Sequence, residues 1–411
     1  MCIMPYALTE NVNQITGLQP VQLSWQRPTH RQLGYNLRLF ECERIMNTDN
    51  SVQTLERHLG LFVLEPTNRA LGASGSRYEI VPDTEGFKIR VHLGFPVGHS
   101  APRLSRAIAD HAADIEAGKG CLVEFDWAVD AHSVQHGLSP LPGVKNVIAV
   151  ASGKGGVGKS TVATNLALAA AGEGATVGLL DADIYGPSQP TMLGLGGQRP
   201  ESADGKTMEP LIAHGVQAMS IGFLVDDKQP MAWRGPMVTS ALTQLLTQTN
   251  WQDLDYLFID MPPGTGDIQL TLSQRVPVSA AVIVTTPQNV ALADARKALE
   301  MFQKVNVPVL GIIENMSTHV CSNCGYEEAV FGSDGGDELG SEYELPLLGR
   351  LPLERSVCET ADSGVPIVAA VPEGATAERF RQLALRVTGE LAATGKDYSH
   401  LFPKITVEER E

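Results

Sequence analysis

Lys159, Ser160 and Thr161 follow a loop carrying Gly153, Gly155, Gly156 and Gly158, and the chemistry of the chain begins there. Glycines let successive backbone N–H groups converge on one anion, and a helix that starts at the loop turns its positive end the same way. Gly153 to Ser160 has the spacing Gly-x-x-x-x-Gly-Lys-Ser of a phosphate-binding P-loop, with Lys154 and Val157 among the intervening residues. The apolar run 147–151 before it reads as a buried strand, and 162–171 after it as a helix. In such a loop the lysine, here Lys159, reaches the β- and γ-phosphates of ATP and the hydroxyl of Ser160 ligates Mg²⁺.

Two other stretches carry acids suited to the same centre. Residues 256–260 are an apolar strand ending in Asp260, a carboxylate able to hold the Mg²⁺ shell. Asp181-Ala-Asp183 ends another strand, and Asp183 is the candidate for positioning the attacking water, its bland alternative being a turn or cap residue. Cys321-Ser-Asn-Cys324 is a separate feature. Cys-x-x-Cys sets two thiols on one side of a turn, suited to zinc, to a cluster or to a redox couple. One pair supplies two ligands where zinc and cubane clusters take four. Cys2, Cys42, Cys121 and Cys358 are scattered, so the economical arrangement is a two-fold dimer in which each copy brings its pair.

The elements that must position these residues alternate strand and helix. Apolar strands are expected at 146–151, 176–181, 256–260, 280–286 and 309–314, each continuous enough to be covered on both faces. Helices between them supply the crossovers of a parallel sheet, which places the nucleotide at the strands' carboxyl ends. Upstream, 87–93 and 123–129 alternate as half-buried strands, and Leu104, Ile108, Ala112 and Ile115 share a helix face. The expected fold class is α/β, a P-loop NTPase with a mostly parallel sheet flanked by helices, preceded by a small α+β domain. The expected divisions are an extension at 1–47, the small domain at 48–130, a linker at 131–145, the ATPase domain at 146–395 and a tail at 396–411. Near the end, Phe380, Leu383, Ala384, Val387 and Leu391 mark a helix face read as packing rather than membrane-bound.

Composition narrows the class. With a net charge of −16, the 411-residue chain is a poor partner for nucleic acid through non-specific phosphate contacts. No apolar run is long enough to span a bilayer and no secretory leader is seen, so no membrane association and a cytoplasmic location are expected.

Together the motifs resemble a known group. Lys154-Gly-Gly-Val-Gly-Lys159 is similar to the deviant P-loop of the partitioning ATPases, the arsenite-pump ATPase and the nitrogenase iron protein. There two subunits sandwich two nucleotides and the early lysine reaches the partner's phosphates, a role the resemblance gives Lys154. Residues 181–190, 233–237, 260–267 and Glu314-Asn-Met-Ser317 further resemble the Mrp (ApbC) family of iron–sulfur cluster carriers. The resemblance implies an ATPase whose homodimer binds a labile [4Fe–4S] cluster at Cys321 and Cys324, takes it from scaffold proteins and passes it to apo iron–sulfur proteins. It also implies that Asn315 recognises adenine. The small domain is similar to the MIP18-like unit that often precedes this ATPase, although the usual acidic-proline motif is absent. The competing readings are a partitioning or positioning ATPase and an ATPase with a structural bridging zinc.

Overall fold

A computed structural model of the chain describes residues 50–65, 67–73, 75–83, 86–135, 137–224, 235–321 and 323–395. The expectations for 1–47 and 396–411, and the residues Cys2, Cys42, Trp233 and Arg234, lie outside these. Those described from Val52 onward belong to one compact unit. Among the described residues, no helix is long and apolar enough to cross a membrane.

The chain opens with α1 (50–59), β1 (Val63–Leu64), β2 (Arg69–Ala70), β3 (Ser76–Asp83), β4 (Gly86–Leu93), α2 (Ala101–Ala112) and β5 (Leu122–Trp127). Here β4 pairs antiparallel with β3 and parallel with β5. The alternation along β4 buries Ile89, Val91 and Leu93, and α2 lays Leu104, Ile108 and Ala112 on the same core. The strand β3 carries a polar, weakly alternating sequence and is held by its full eight-residue register against β4.

The nucleotide-binding layer begins at β6 (Val144–Ala151) and continues through α3 (Lys159–Gly172), β7 (Val177–Asp181), α4 (Gln189–Met192), β8 (Leu211–Ala213), β9 (Val216–Ser220), α5 (Gly235–Gln248), β10 (Leu254–Asp260), α6 (Asp267–Arg275), β11 (Ala280–Thr285), α7 (Asn289–Lys304) and β12 (Val309–Glu314). After the short hairpin β13 (His319–Val320) and β14 (Glu327–Glu328) come α8 (Gly335–Tyr343), β15 (Leu347–Arg350), α9 (Arg355–Asp362), α10 (Ile367–Ala370) and α11 (Ala375–Ala392). One eight-stranded sheet has the order β15-β12-β11-β6-β10-β7-β9-β8, parallel except for the β8–β9 pair. This is the mostly parallel P-loop NTPase sheet that the apolar runs predict. The runs missed β8, β9 and β15, which are short or lie towards the sheet's edges.

The helix α11 joins the two layers. The face bearing Phe380, Leu383, Ala384, Val387 and Leu391 is buried in the main core, while Leu385 and Ala392 enter the core of the small layer. A Cβ at Gly389 would sit 2.4 Å from Thr67 Cγ2, so any side chain here would force Thr67 to shift. Beside it, Ser100 Oγ donates to Glu173 Oε1 at 2.6 Å and Ser100 N–H to Glu173 Oε2 at 3.0 Å, both groups buried. Glu173 caps the end of α3, so the P-loop helix is braced by the small layer at its far end. Glu173→Ala leaves two buried donors without an acceptor and is expected to cost about 1.5–3 kcal/mol, read from urea unfolding.

Candidate functional site

The P-loop follows β6 at the middle of the sheet and is clamped from both sides. A Cβ at Gly153 would lie 2.0 Å from the Asp294 carbonyl oxygen, so this glycine is required by the packing of α7. Gly156 and Gly158 have φ of +82° and +81°, in the left-handed region that favours glycine. Gly158 is also the residue immediately before α3, and its position leaves the first N–H groups of that helix aimed into the loop. Val157 is buried and its carbonyl accepts from Asn315 Nδ2 at 2.8 Å. Asn315 therefore ties the end of β12 to the loop. Lys154 is exposed at the rim, and Gly155, Ser160 and Thr161 lie along the loop and the first turn of α3.

Sheet register brings the acids to this loop. In the parallel ladders Asp260 is opposite Val150 on β6 and opposite Asp181 on β7. Lys159 Nζ makes an ion pair with Asp260 Oδ1, both side chains buried. Asp260 Oδ2 accepts from Gln189 Nε2 at 2.9 Å, and Gln189 Oε1 accepts from Thr164 Oγ1 at 2.6 Å. Gln189 thus closes a ring between α4, α3 and the carboxylate. Apolar periodicity could not single it out, because its role is to bridge three elements.

Asp181 lies beneath this group. It accepts from the N–H groups of Asp183, Ser188 and Gln189 and from Ser220 Oγ, all at 3.0–3.1 Å. Full burial first, and the charge of Asp260 second, push its carboxyl up to about 7 against those donors and Lys159. Asp181 organises the turn after β7. Asp183 is half-buried, and its carboxyl takes N–H groups of Gly186 and Tyr185 in the turn after β7. It still feels Lys159 and Asp260: burial raises its pKa, Lys159 lowers it, and Asp260 raises it.

On the other side of Gly158 is a largely apolar cavity of about 210 Å³, with Thr161, Asn315, Met316, Leu351 and Pro352 in its wall. It is large enough to take a flat heterocycle beside the phosphate loop. Cys358, on α9, also lines it and is exposed, with its thiol 3.8 Å from Asp362 Oδ2. Cys121 is buried in the small layer.

Cys321 and Cys324 occupy the turn of the β13–β14 hairpin. Cys321 N–H donates to the Tyr326 carbonyl at 2.9 Å, and Gly325 N–H, at φ +72°, donates to the Cys321 carbonyl at 2.8 Å. N–H groups of Asn323 and Cys324, then the Cys324 thiol, hold the Cys321 thiol below its ordinary pKa, which favours the thiolate that binds metals. Cys321 is half-buried and Cys324 exposed. The hairpin is anchored at its base: Leu353 N–H donates to Thr318 O at 2.6 Å, and His319 Nδ1 is 3.2 Å from the Leu353 carbonyl, to which it donates. Leu353 is part of the cavity wall.

Residues 143–388 match the model of the family described as ParA, NUBPL iron-transfer P-loop NTPase. The chain belongs to this family. Over 274 residues it is 56% identical to an iron-sulfur cluster carrier protein of Pseudomonas fragi, covering 66% of this chain and 96% of that one. It is 59% identical over 254 residues to an iron-sulfur cluster carrier protein of Escherichia coli (strain K12), covering 62% of this chain and 69% of that one. A solved nucleotide-binding protein from Archaeoglobus fulgidus, in complex with ADP, is 38% identical with a TM-score of 0.49, covering 54% of this chain and 87% of that one.

Two outcomes follow from this geometry. Lys159→Ala strands the buried Asp260 carboxylate, with an expected loss of about 3–5 kcal/mol in thermal or urea unfolding. Adding Asp260→Asn should return most of that loss while leaving ATP binding abolished. The second outcome concerns pH. Because folding raises the Asp181 pKa, native chain holds a proton there between about pH 4 and 7 that the unfolded chain has lost. This contribution to stability is fullest below that window and falls as pH rises through it. Thermal midpoints of Asp181→Asn should therefore gain on the wild type between pH 5 and 8; parallel profiles would contradict the assignment.

Proposed function

We propose that the chain is an ATP-hydrolysing iron–sulfur cluster carrier, working as a homodimer that holds a labile [4Fe–4S] cluster as cargo and passes it from scaffold proteins to apo-proteins. One observation carries this reading. The Cys321–Cys324 turn is hydrogen-bonded at its base to Leu353, which also walls the cavity beside the P-loop. Cargo ligands and nucleotide pocket therefore share a structural segment.

The roles within the site follow from the chemistry of each group. Backbone N–H groups from Gly153 to Thr161 cradle the phosphates, and Lys159 turns from Asp260 to the β- and γ-oxygens. Asn315 and the apolar cavity take the adenine. The hydroxyl of Ser160 and the carboxylate of Asp260 are hard oxygen donors that fit Mg²⁺, an ion that neutralises charge on the β- and γ-phosphates. Asp183 orients a water in line with the γ-phosphorus; the new P–O bond forms as the bond to the β-γ bridging oxygen breaks, leaving ADP and phosphate. Lys154, exposed on the rim, reaches the phosphates held by the second copy, so hydrolysis and dimer geometry are linked.

Each copy offers two thiolates to the cargo, and a cubane takes four. Two hairpins meeting across a two-fold axis complete that set. A change in the nucleotide pocket moves Leu353 and with it the base of each hairpin, which alters the separation of the two thiol pairs.

Anaerobic reconstitution of the full chain should give about four irons per dimer with broad visible absorbance. Cys321→Ala and Cys324→Ala should each abolish it, while Cys358→Ala retains it. Unchanged iron in the pair variants, or zinc in place of iron in anaerobically purified protein, would overturn the assignment. Lys154→Ala should lower ATP turnover at least about tenfold with nucleotide binding by the single chain retained, measured by hydrolysis and equilibrium binding.

A further inference from the structure

The small layer carries a cluster of ligating side chains that the nucleotide and thiol sites do not use. His58, near the end of α1, and His111, in the last turn of α2, stack with ring centroids 4.2 Å apart and planes within 4°. Their hydrogen bonds are reciprocal. His58 Nε2 is 2.8 Å from the His111 carbonyl, and His111 Nε2 is 3.1 Å from the His58 carbonyl. A carbonyl oxygen only accepts, so in both rings Nε2 must carry the proton and Nδ1 is the nitrogen with a lone pair. Asp114, one helical turn after His111, places Oδ2 3.9 Å from His111 Nδ1. One ligating atom from each of the three residues lies within 4.8 Å of the others.

We infer that His58, His111 and Asp114 form a binding site for one divalent first-row transition ion. Metal-binding histidines characteristically donate their second ring N–H to a backbone carbonyl or carboxylate, which fixes the tautomer and ring orientation. Here the tautomer of both rings is set in that way before any ion arrives, and the parallel rings must tilt out of their stack for both lone pairs to meet one ion. The two carbonyls also accept backbone N–H groups of Leu61 and Asp114, so each ring adds a second bond to a carbonyl already fixed at a helix end. Two imidazoles and one carboxylate suit zinc, cobalt, nickel or ferrous iron, rather than the hard ions that prefer oxygen alone. Bond lengths of about 2.0–2.1 Å require the ligands to close on the ion. Asp114 is exposed, and both rings are only half-buried, so the carboxylate can swing inwards and the rings can tilt from their stack at the surface of the small layer.

Cobalt(II) is the probe, because its ligand-field spectrum reports bound nitrogen and oxygen donors. The test uses untagged, chelator-stripped full-length chain carrying Cys321→Ala and Cys324→Ala, so that thiol binding is removed. One cobalt per chain is expected by equilibrium dialysis, with a ligand-field band and a zinc-dependent rise in thermal midpoint. Asp114→Asn, on an exposed side chain whose loss leaves the fold intact, should weaken binding at least about tenfold, and His111→Gln at least as much. No bound cobalt in the parent, or binding unchanged by Asp114→Asn, would overturn the site.

Discussion

The parallel register of β6, β10 and β7 is the constraint on which the rest of the site depends. It fixes Asp260 beside the strand that feeds the P-loop and beside Asp181 on its other flank. Two carboxyl groups at adjacent strand ends, both buried, are unfavourable unless each is compensated. Lys159 compensates one with its charge, and Gln189 with an amide donor. Backbone N–H groups of the turn after β7, with Ser220, compensate the other. The fold therefore holds a polar network in which Lys159 and Asp260 are each other's counter-charge.

This arrangement explains why some of the molecule is legible in the sequence and some is not. Buried parallel strands need continuous apolar runs, so β6, β7, β10, β11 and β12 stand out, and the loop's Gly-x-x-x-x-Gly-Lys-Ser spacing is local. The acids at strand ends are legible too, because each closes an apolar run. What the sequence does not reveal is register. That Asp181 lies opposite Asp260, and serves as a buried acceptor for the next turn, depends on two strands separated by more than seventy positions in the chain. Gln189 is similarly silent, since its role is to span three elements. Gly153 reads as a phosphate-loop glycine, yet the closest constraint on it is the backbone of α7. Strand β3 escaped because its polar sequence has little burial to report, and it is held in place by pairing along its whole length.

The loop's two sides have different chemistry. Towards β10 and β7 it faces charged and polar groups; towards β12 and β15 it faces an apolar cavity, with Asn315 bridging to Val157. That division matches a ligand having a polyanionic end and a flat, weakly polar end. Glycine at 158 serves both sides at once, since it supplies the left-handed turn before α3 and leaves room for the Asn315 amide, which would lie 2.3 Å from a Cβ there. A side chain at this position would disturb the loop's turn and the Asn315 contact together.

The hairpin bearing Cys321 and Cys324 is joined to this apolar side and not to the acidic one. Its base bonds lie at Thr318, His319 and Leu353, only a few residues from Asn315 in one direction and from the cavity wall in the other. Hydrogen bonds of this sort are short levers: a shift of the β12 or β15 terminus must either carry the hairpin with it or break them. The thiols themselves have no such tether, since Cys324 is exposed and Cys321 is held only through its own turn. A rigid base with an open tip suits ligands that must take up a cargo and later release it. Among the described cysteines, only these two share a turn, with Cys358 lining the apolar cavity and Cys121 buried in the small layer. Two thiols from one copy thus leave a four-ligand set incomplete, which is the physical basis of the proposed holding between two copies.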